Sequence, residues 1–258
     1  MSAVGKKSAS LASLFAGTQT AAAYASHRPD YPPNVFTLLV ENIKRIRSDL
    51  DVHHPKTDAS KGVFNGFTVM PLVNSAESEP IPHLAAIDIA CGSGQATKSL
   101  VKPPVSCEKV LAVDVSAAQI AAAKPLPNTK FLVGDASKLK QIMTEEHIDN
   151  IDLLTCAQGL HWFDLHKDGS GDAATFHSLF SAQDPARRPL LAAWGYDNPI
   201  LEHEEANRLV NGWLYQEQLD KYWSSRRVDV NDMYEDLQKC FPSDQVRRAH
   251  APYAYNSF

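Results

Sequence analysis

The spacing of apolar residues predicts one helix and then a series of strand and helix units. Apolar side chains recur at steps of three and four over residues 34–50, the spacing of one buried helix face. From residue 84 onward, short apolar runs alternate with helix-like segments; the runs cover residues 84–90, 109–115, 130–135, 151–158 and 189–196. Strands that alternate with helices form a parallel sheet with crossover connections, so we expect a doubly wound α/β fold with helices on both faces.

The regions outside this series divide the rest of the chain. We expect residues 1–33 to act as a lid, and residues 34–83 hold the predicted helix and then an irregular insertion. Residues 84–200 form the predicted α/β core. Residues 201–258 begin with a helical and aromatic stretch, and we expect this region to lie near a substrate.

Charge narrows the classes of function. The 258 residues carry 25 Lys and Arg against 30 Asp and Glu, and this net charge of -5 argues against binding of nucleic acid or anionic membrane by bulk electrostatics. The uncharged stretch 8–26 is interrupted by Ser, Thr and Gln, so it is too polar to span a bilayer, while the lack of acidic residues before Asp30 leaves an organelle-targeting segment open. We expect a cytoplasmic monomer or homodimer.

Cysteines and histidines show no metal-site spacing. The four cysteines lie far apart without a C-x-x-C pair, which argues against a zinc ribbon and fits a reducing compartment. The His53–His54 pair and His83 have no acid or cysteine at a matching spacing. We therefore predict no metal site.

A glycine-containing turn follows the first predicted strand of the core. Residues 88–95 read Asp-Ile-Ala-Cys-Gly-Ser-Gly-Gln, and small residues here let the backbone approach a ligand at the start of the next helix. Asp114 ends the second strand, 20 residues after Gly94, and Asp135 ends the third. A carboxylate at the end of the second strand of a doubly wound sheet accepts hydrogen bonds from ribose hydroxyls, so these features together predict an adenosine-type ligand.

The turn favours a cationic ligand over a dinucleotide. A dinucleotide fingerprint has a third glycine or alanine where this chain has Thr97. The carboxylate of Asp88, four residues before Gly92, repels a nearby phosphate. A nicotinamide-dependent oxidoreductase therefore stays only as an alternative.

Three segments resemble the class I S-adenosylmethionine-dependent methyltransferases. Residues 88–94 are similar to that superfamily's acid-x-G-x-G-x-G motif, except that the first glycine is Ala90 here. Residues 28–32, Arg-Pro-Asp-Tyr-Pro, and residues 157–164, Ala-Gln-Gly-Leu-His-Trp-Phe-Asp, look like the small-molecule group that includes the trans-aconitate methyltransferases. The resemblance covers residues 24–223 apart from the insertion. It implies S-adenosyl-L-methionine as cofactor and a small-molecule substrate.

The resemblance also assigns roles to residues. It implies that Asp88 faces the methionine part of the cofactor, Asp114 the ribose hydroxyls, and Asp135 with Ala136 the adenine edge. The methyl group of Ala90 must tolerate the backbone angles of a glycine position, which would weaken cofactor affinity. The whole expected cofactor set is Asp88, Ala90, Cys91, Gly92, Ser93, Gly94, Gln95, Asp114, Val115, Asp135, Ala136, Ala157 and Gln158.

Three further residues are candidates for the chemistry. His161 follows the fourth strand, where ligands bind in open sheets, and is a candidate base or hydrogen-bond donor. Trp162 is a candidate to cover a sulfonium with its ring face. Arg28 is a candidate to bind a substrate carboxylate in a bidentate pair. The structural alternatives stay open for each: a packed or capping histidine, a core tryptophan and a surface arginine.

We expect a methyltransferase that acts on a small organic molecule, with a carboxylate oxygen as acceptor. A carboxylate is already deprotonated at neutral pH, whereas an amine or hydroxyl needs a base. A non-catalytic S-adenosylmethionine-binding protein is the first alternative. After the fifth strand only residues 246–255 are strand-like, so we also expect an incomplete sheet. Contact with another chain would protect the open edge of such a sheet.

Overall fold

A computed structural model describes residues 30–47, 81–166, 170–181, 189–196, 198, 200–241 and 246–249 of the 258-residue chain. Arg28, nearly all of the N-terminal segment expected to act as a lid, most of the expected insertion and the end of the strand-like C-terminal segment lie outside these residues.

A five-stranded parallel sheet forms the centre of the described structure. Its strands are β1 (Ala85–Ile89), β2 (Lys109–Asp114), β3 (Thr129–Val133), β4 (Leu153–Ala157) and β5 (Leu190–Trp194). Their order in the sheet is β3-β2-β1-β4-β5, and each neighbouring pair is parallel. The predicted doubly wound sheet is confirmed. Because the strand order reverses between β1 and β4, a ligand crevice is expected at the carboxyl ends of these two strands.

Helices precede β1, connect the strands and follow β5. They are α1 (Pro33–Arg47), α2 (Thr97–Leu100), α3 (Ala117–Ala122), α4 (Leu139–Glu145), α5 (Asp172–Ser181), α6 (Glu204–Arg208), α7 (Arg227–Asn231) and α8 (Glu235–Gln238). A π-helix spans Leu209–Gln218, and short 3-10 turns lie at Ala136–Lys138, Leu160–Trp162 and Asp220–Tyr222. None of the described helices has the length and apolar character that crossing a bilayer requires.

Local sequence explains where two helices begin or end. α1 begins at Pro33, whose fixed φ suits the first helical position, and its last turn carries basic residues beside the negative helix end. α3 begins after Ser116, whose hydroxyl accepts the N–H of Gln119. It ends at Ala122, shortly before Lys124, which precedes a proline and is therefore disfavoured in helical angles.

The strands bury different side chains on the two faces of the sheet. On one face, Ile87, Leu111 and Leu154 belong to an apolar cluster that includes residues of α4 and α5. On the other face, Ala86 and Val110 pack in a cluster with residues of α1 and α2. Helices therefore cover both faces, as a buried parallel sheet requires.

β5 is the outermost strand at one edge of the described sheet. Residues 246–249 are the described part of the strand-like C-terminal segment, and they form no strand. Within the described residues, the sheet therefore ends at β5.

Candidate functional site

A cavity of about 330 Å³ lies at the carboxyl ends of β1, β2, β3 and β4. Its size is typical of small-molecule sites, and its position is where open α/β sheets bind ligands. Nine of the predicted site residues line it: Ala90, Gly92, Asp114, Val115, Asp135, Ala136, Ala157, Gln158 and Trp162. The fold thus gathers residues from four separate strand ends at one place.

Asp114, at the end of β2, holds the glycine turn at the edge of the cavity. Its Oδ2 accepts the N–H of Gly92 at 2.8 Å, and its Oδ1 accepts the N–H of Ser116 at 2.8 Å. Burial raises the pKa of Asp114 above its ordinary value, and the two backbone donors counter this effect. Because each carboxylate oxygen has two lone pairs, both retain capacity to accept a ligand hydroxyl.

Asp135 and Ala136 lie at the corresponding end of β3. The Asp135 carboxylate accepts the N–H of Ser137 at 2.9 Å and so caps the 3-10 turn that follows. A Cβ on Gly134 would lie 3.0 Å from Cδ1 of Ile142, so glycine lets this strand end pack closely on α4. The β3 end therefore brings backbone and a carboxylate to the cavity together.

The turn between β1 and α2 has left-handed backbone angles. Gly92 has a φ of 58° and Gly94 one of 93°, and Ala90 adopts the same region at 51° despite its side chain. A Cβ on Gly94 would also lie 3.0 Å from Cζ of Phe131. Ala90 and Gly92 line the cavity, whereas four other predicted residues of the turn do not: Cys91, Ser93, Gly94 and Gln95.

Asp88 lies behind this turn rather than in the cavity wall. It is fully buried, and its carboxylate accepts hydrogen bonds from Thr97 Oγ1 at 2.6 Å and Thr155 Oγ1 at 2.7 Å. Burial raises the pKa of Asp88 to about 6, and the two threonine hydroxyls limit the increase. Its position differs from the expected contact with the methionine part of a cofactor, because the carboxylate is buried outside the cavity wall.

The segment after β4 carries the remaining predicted residues. Trp162 lines the cavity, but His161 does not. The His161 ring is buried and stacks on Tyr234, with ring centroids 6.2 Å apart and His161 Nδ1 3.4 Å from the Tyr234 hydroxyl oxygen. This is the environment of a packed histidine, so a base at His161 stays a prediction.

The sequence analysis missed several wall residues, including Gln119, Ser137, Asp172 and Thr175. Gln119 is the most informative. Its side chain is 4% exposed, and its amide oxygen Oε1 has no hydrogen-bond partner among the described residues. A buried acceptor without a partner costs about 1–3 kcal/mol, so this one marks a place where a ligand donor would complete the hydrogen bonding. The available signal was its position in the first turn of the helix after Asp114.

The charge of the cavity wall is negative. Asp114, Asp135, Asp164 and Asp172 line it, and no lysine or arginine does among the described residues. Carboxylates in a partly enclosed site attract a cationic ligand. In the described part of the chain, no three His, Cys, Asp or Glu side chains are grouped in a way that could hold a metal ion.

Part of the chain matches a known protein family. Residues 86–179, from β1 to α5, match the family described as "Methyltransferase domain", and every described residue of the cavity wall falls within this range. Residues 86–179 are therefore similar to a methyltransferase domain. The region from α6 to α8 lies beyond the end of this match.

Individual relatives of the methyltransferase domain are distant. A Dictyostelium discoideum protein named as a methyltransferase is 29% identical over 168 residues, which are 65% of this chain and 57% of that protein. The chain thus spans less than two thirds of that relative. A solved structure from Anaeromyxobacter dehalogenans, described as a type II methyltransferase, is 25% identical and has a TM-score of 0.49, covering 83% of this chain and 67% of that one. The plantazolicin methyltransferase BpumL, solved in complex with SAH, is 15% identical and has a TM-score of 0.36, covering 58% and 49%.

Proposed function

We propose that this protein transfers the methyl group of S-adenosylmethionine to a small organic molecule, with a carboxylate oxygen as the acceptor. The main support is the cavity of the methyltransferase domain, which brings together Asp114, Gly92 and the unpartnered amide oxygen of Gln119. Ribose hydroxyls are donors, and the Asp114 carboxylate and the Gln119 amide oxygen are acceptors. The residues present therefore fit the nucleoside part of the cofactor.

The remaining parts of the cofactor are assigned to neighbouring strand ends. Asp135 accepts from the exocyclic amine of adenine, and Ala136 packs along its edge. The turn at Ala90 and Gly92 gives close backbone approach to the methionine part. Asp88 supports this turn from behind through Thr97 rather than by direct contact.

The chemistry asks little of the protein beyond binding and orientation. S-adenosylmethionine supplies a methyl group activated by the positive charge on sulfur; the acceptor oxygen forms the new bond, and the C–S electron pair stays on sulfur. Trp162 offers its ring face to this cation, and the aspartates of the wall favour its binding. Orientation of the two reactants in one cavity then supplies the main acceleration.

A carboxylate acceptor agrees with the position of His161, but it requires a cation that the described cavity wall does not supply. No base is needed for a carboxylate, which fits the position of His161 outside the cavity wall. The described wall contains no lysine or arginine, so an anionic substrate requires a cation from elsewhere. Arg28 is assigned this role, two positions before Asp30 in the sequence.

The test is a methyl-transfer assay with a panel of small carboxylates and amines of matched carbon skeleton, read by mass spectrometry with methyl-labelled S-adenosylmethionine. We expect label in methyl esters. Arg28→Gln should raise KM for the carboxylate about tenfold or more, and Arg28→Lys less, with S-adenosylhomocysteine affinity unchanged. Label in amines alone overturns the acceptor class. Tight cofactor binding with no product from any acceptor supports a non-catalytic binding protein instead.

A further inference from the structure

The helical region after β5 reaches back to the turn that follows β4. Arg226 donates two hydrogen bonds from Nη1, to the carbonyl oxygen of His161 at 2.8 Å and to that of Phe163 at 2.9 Å. Tyr234 stacks on the His161 ring, and its hydroxyl oxygen lies 3.4 Å from His161 Nδ1. Two side chains from beyond residue 179 therefore hold the 3-10 turn Leu160–Trp162.

This turn carries part of the cavity wall. Trp162 and Phe163 both line the cavity. Within the turn, the N–H of Trp162 donates to the carbonyl of Gly159 at 3.0 Å, and the N–H of Phe163 donates to that of Leu160 at 3.1 Å. Short 3-10 turns have poorer hydrogen-bond geometry than α-helices, so contacts from outside contribute much of their order. Arg226 supplies such contacts to the carbonyl groups of the residues before and after Trp162, His161 and Phe163.

Tyr234 is kept in a backbone conformation that bulky side chains rarely adopt. Its φ is 62°, and that of the preceding Met233 is 52°. The Tyr234 side chain is 7% exposed and packs closely at Gly195, where a Cβ would lie 3.3 Å from Tyr234 Cε2. Left-handed backbone at such residues persists only where the surroundings hold it, and it is concentrated at functional sites. The Tyr234 ring that stacks on His161 is thus packed closely at Gly195 as well.

We propose that Arg226 and Tyr234 are positioning residues of the methyltransferase site. Through the Leu160–Trp162 turn they set the orientation of Trp162 and Phe163 in the cavity wall. The family match ends at residue 179, so this gives the C-terminal helical region a role in the site of the preceding domain. The effect on cofactor binding rests on the proposed function, whereas the effect on the turn does not.

The test compares variants of two adjacent arginines in the full chain. Arg226→Gln removes the double donation, and Arg226→Lys keeps a cationic donor. Arg227→Gln is the control, because the Arg227 guanidinium instead donates to Asn198 Oδ1 and lies over the Trp223 ring. Amide hydrogen exchange across residues 160–163 reports the turn, and calorimetric titration with S-adenosylhomocysteine reports the site.

We expect Arg226→Gln to speed amide exchange at Trp162 and Phe163 about tenfold and to weaken S-adenosylhomocysteine binding about tenfold. Arg226→Lys should recover much of both losses, and Arg227→Gln should change neither. Unchanged exchange and affinity in Arg226→Gln overturn the proposal. Faster exchange with unchanged affinity shows an anchor with no effect on the site and overturns it as well.

Two further results separate a failure of this proposal from a failure of the proposed function or of folding. If the wild-type protein does not bind S-adenosylhomocysteine, the proposed function fails, and the exchange measurement still decides whether Arg226 holds the turn. If Arg226→Gln does not fold, Tyr234→Phe takes its place, because it keeps the stacked ring and removes only the hydroxyl. We then expect smaller losses of the same kind, about threefold, and no change in either measurement rejects the positioning role.

Discussion

A Cβ on Gly159 would lie only 2.7 Å from the Cβ of Ala90. The two residues follow β4 and β1, which are neighbours in the sheet, and both line the cavity. Gly159 has a φ of -128°, an angle open to any residue, so its backbone does not require glycine. Glycine is required at position 159 because any side chain there would collide with the methyl group of Ala90. The alanine at a glycine position of the first turn is thus accommodated by a glycine in the second.

Gly159→Ala is expected to destabilise the fold by about 1–3 kcal/mol, because the new methyl group must displace Ala90 or the Cys156 sulfur, 3.1 Å from the same point. Denaturant unfolding monitored by circular dichroism measures this loss.

The double variant Ala90→Gly with Gly159→Ala should recover much of that loss. Ala90→Gly alone removes a left-handed alanine, so it should change stability by no more than about 1 kcal/mol, with a small gain favoured. If the two substitutions simply add, with no coupling energy between them, the contact does not constrain these turns.

Asp114→Ala should weaken S-adenosylhomocysteine binding by about 1–3 kcal/mol, since ribose hydroxyls lose their acceptor and the Gly92 N–H loses its anchor. Calorimetric titration measures the affinity. Asp149→Ala, at an exposed position outside the cavity wall, is the control and should bind like the wild type. Equal affinity in Asp114→Ala would remove this residue from the site.

Gln119→Met should lower the affinity for S-adenosylhomocysteine without lowering the stability of the fold. It removes the acceptor that we assign to the cofactor, which costs about 1 kcal/mol of binding, while removal of an unsatisfied buried oxygen leaves stability unchanged or higher. Paired calorimetry and thermal unfolding measure both quantities. Gln141→Met is the matched control, because the Gln141 amide donates to Glu145 on the exposed side of α4. A loss of stability without a loss of affinity contradicts the assignment.

Asp88 predicts a pH dependence of stability. Its pKa in the fold is about 6 against an ordinary value of 3.8, so the folded state holds the proton more tightly than the unfolded chain does. The stabilisation from this carboxyl is therefore complete below about pH 4 and is lost as the pH rises through 6, a change of about 3 kcal/mol. The unfolding free energy of the wild type minus that of Asp88→Asn should fall by this amount between about pH 4 and pH 8. A flat difference would show that the burial of Asp88 has no such effect.

Much of the fold could be predicted because its signals are local. Each strand is a short apolar run, and Asp114 and Asp135 stand directly at strand ends, where parallel strands bring such residues to one edge. Their place in the cavity wall therefore follows from the order of elements along the chain.

The parts of the site that sequence could not supply depend on distant partners. Asp88 appears in the sequence beside a glycine turn, but Thr155, which donates to its carboxylate inside the fold, belongs to a different strand, β4. His161 lies in a motif typical of ligand sites, yet its ring lies outside the cavity wall and stacks on Tyr234, which belongs to the C-terminal helical region. Only the packing of these elements decides which polar groups are already satisfied.

The central claim is that the cavity beside Asp114 holds the adenosine part of S-adenosylmethionine. A crystal structure of the protein with S-adenosylhomocysteine tests it most directly. The account predicts ribose hydroxyls within hydrogen-bond distance of Asp114, with the adenine beside Asp135 and Ala136. Adenosine bound elsewhere on the molecule, or a cavity filled by the protein's own side chains at saturating ligand, would contradict it.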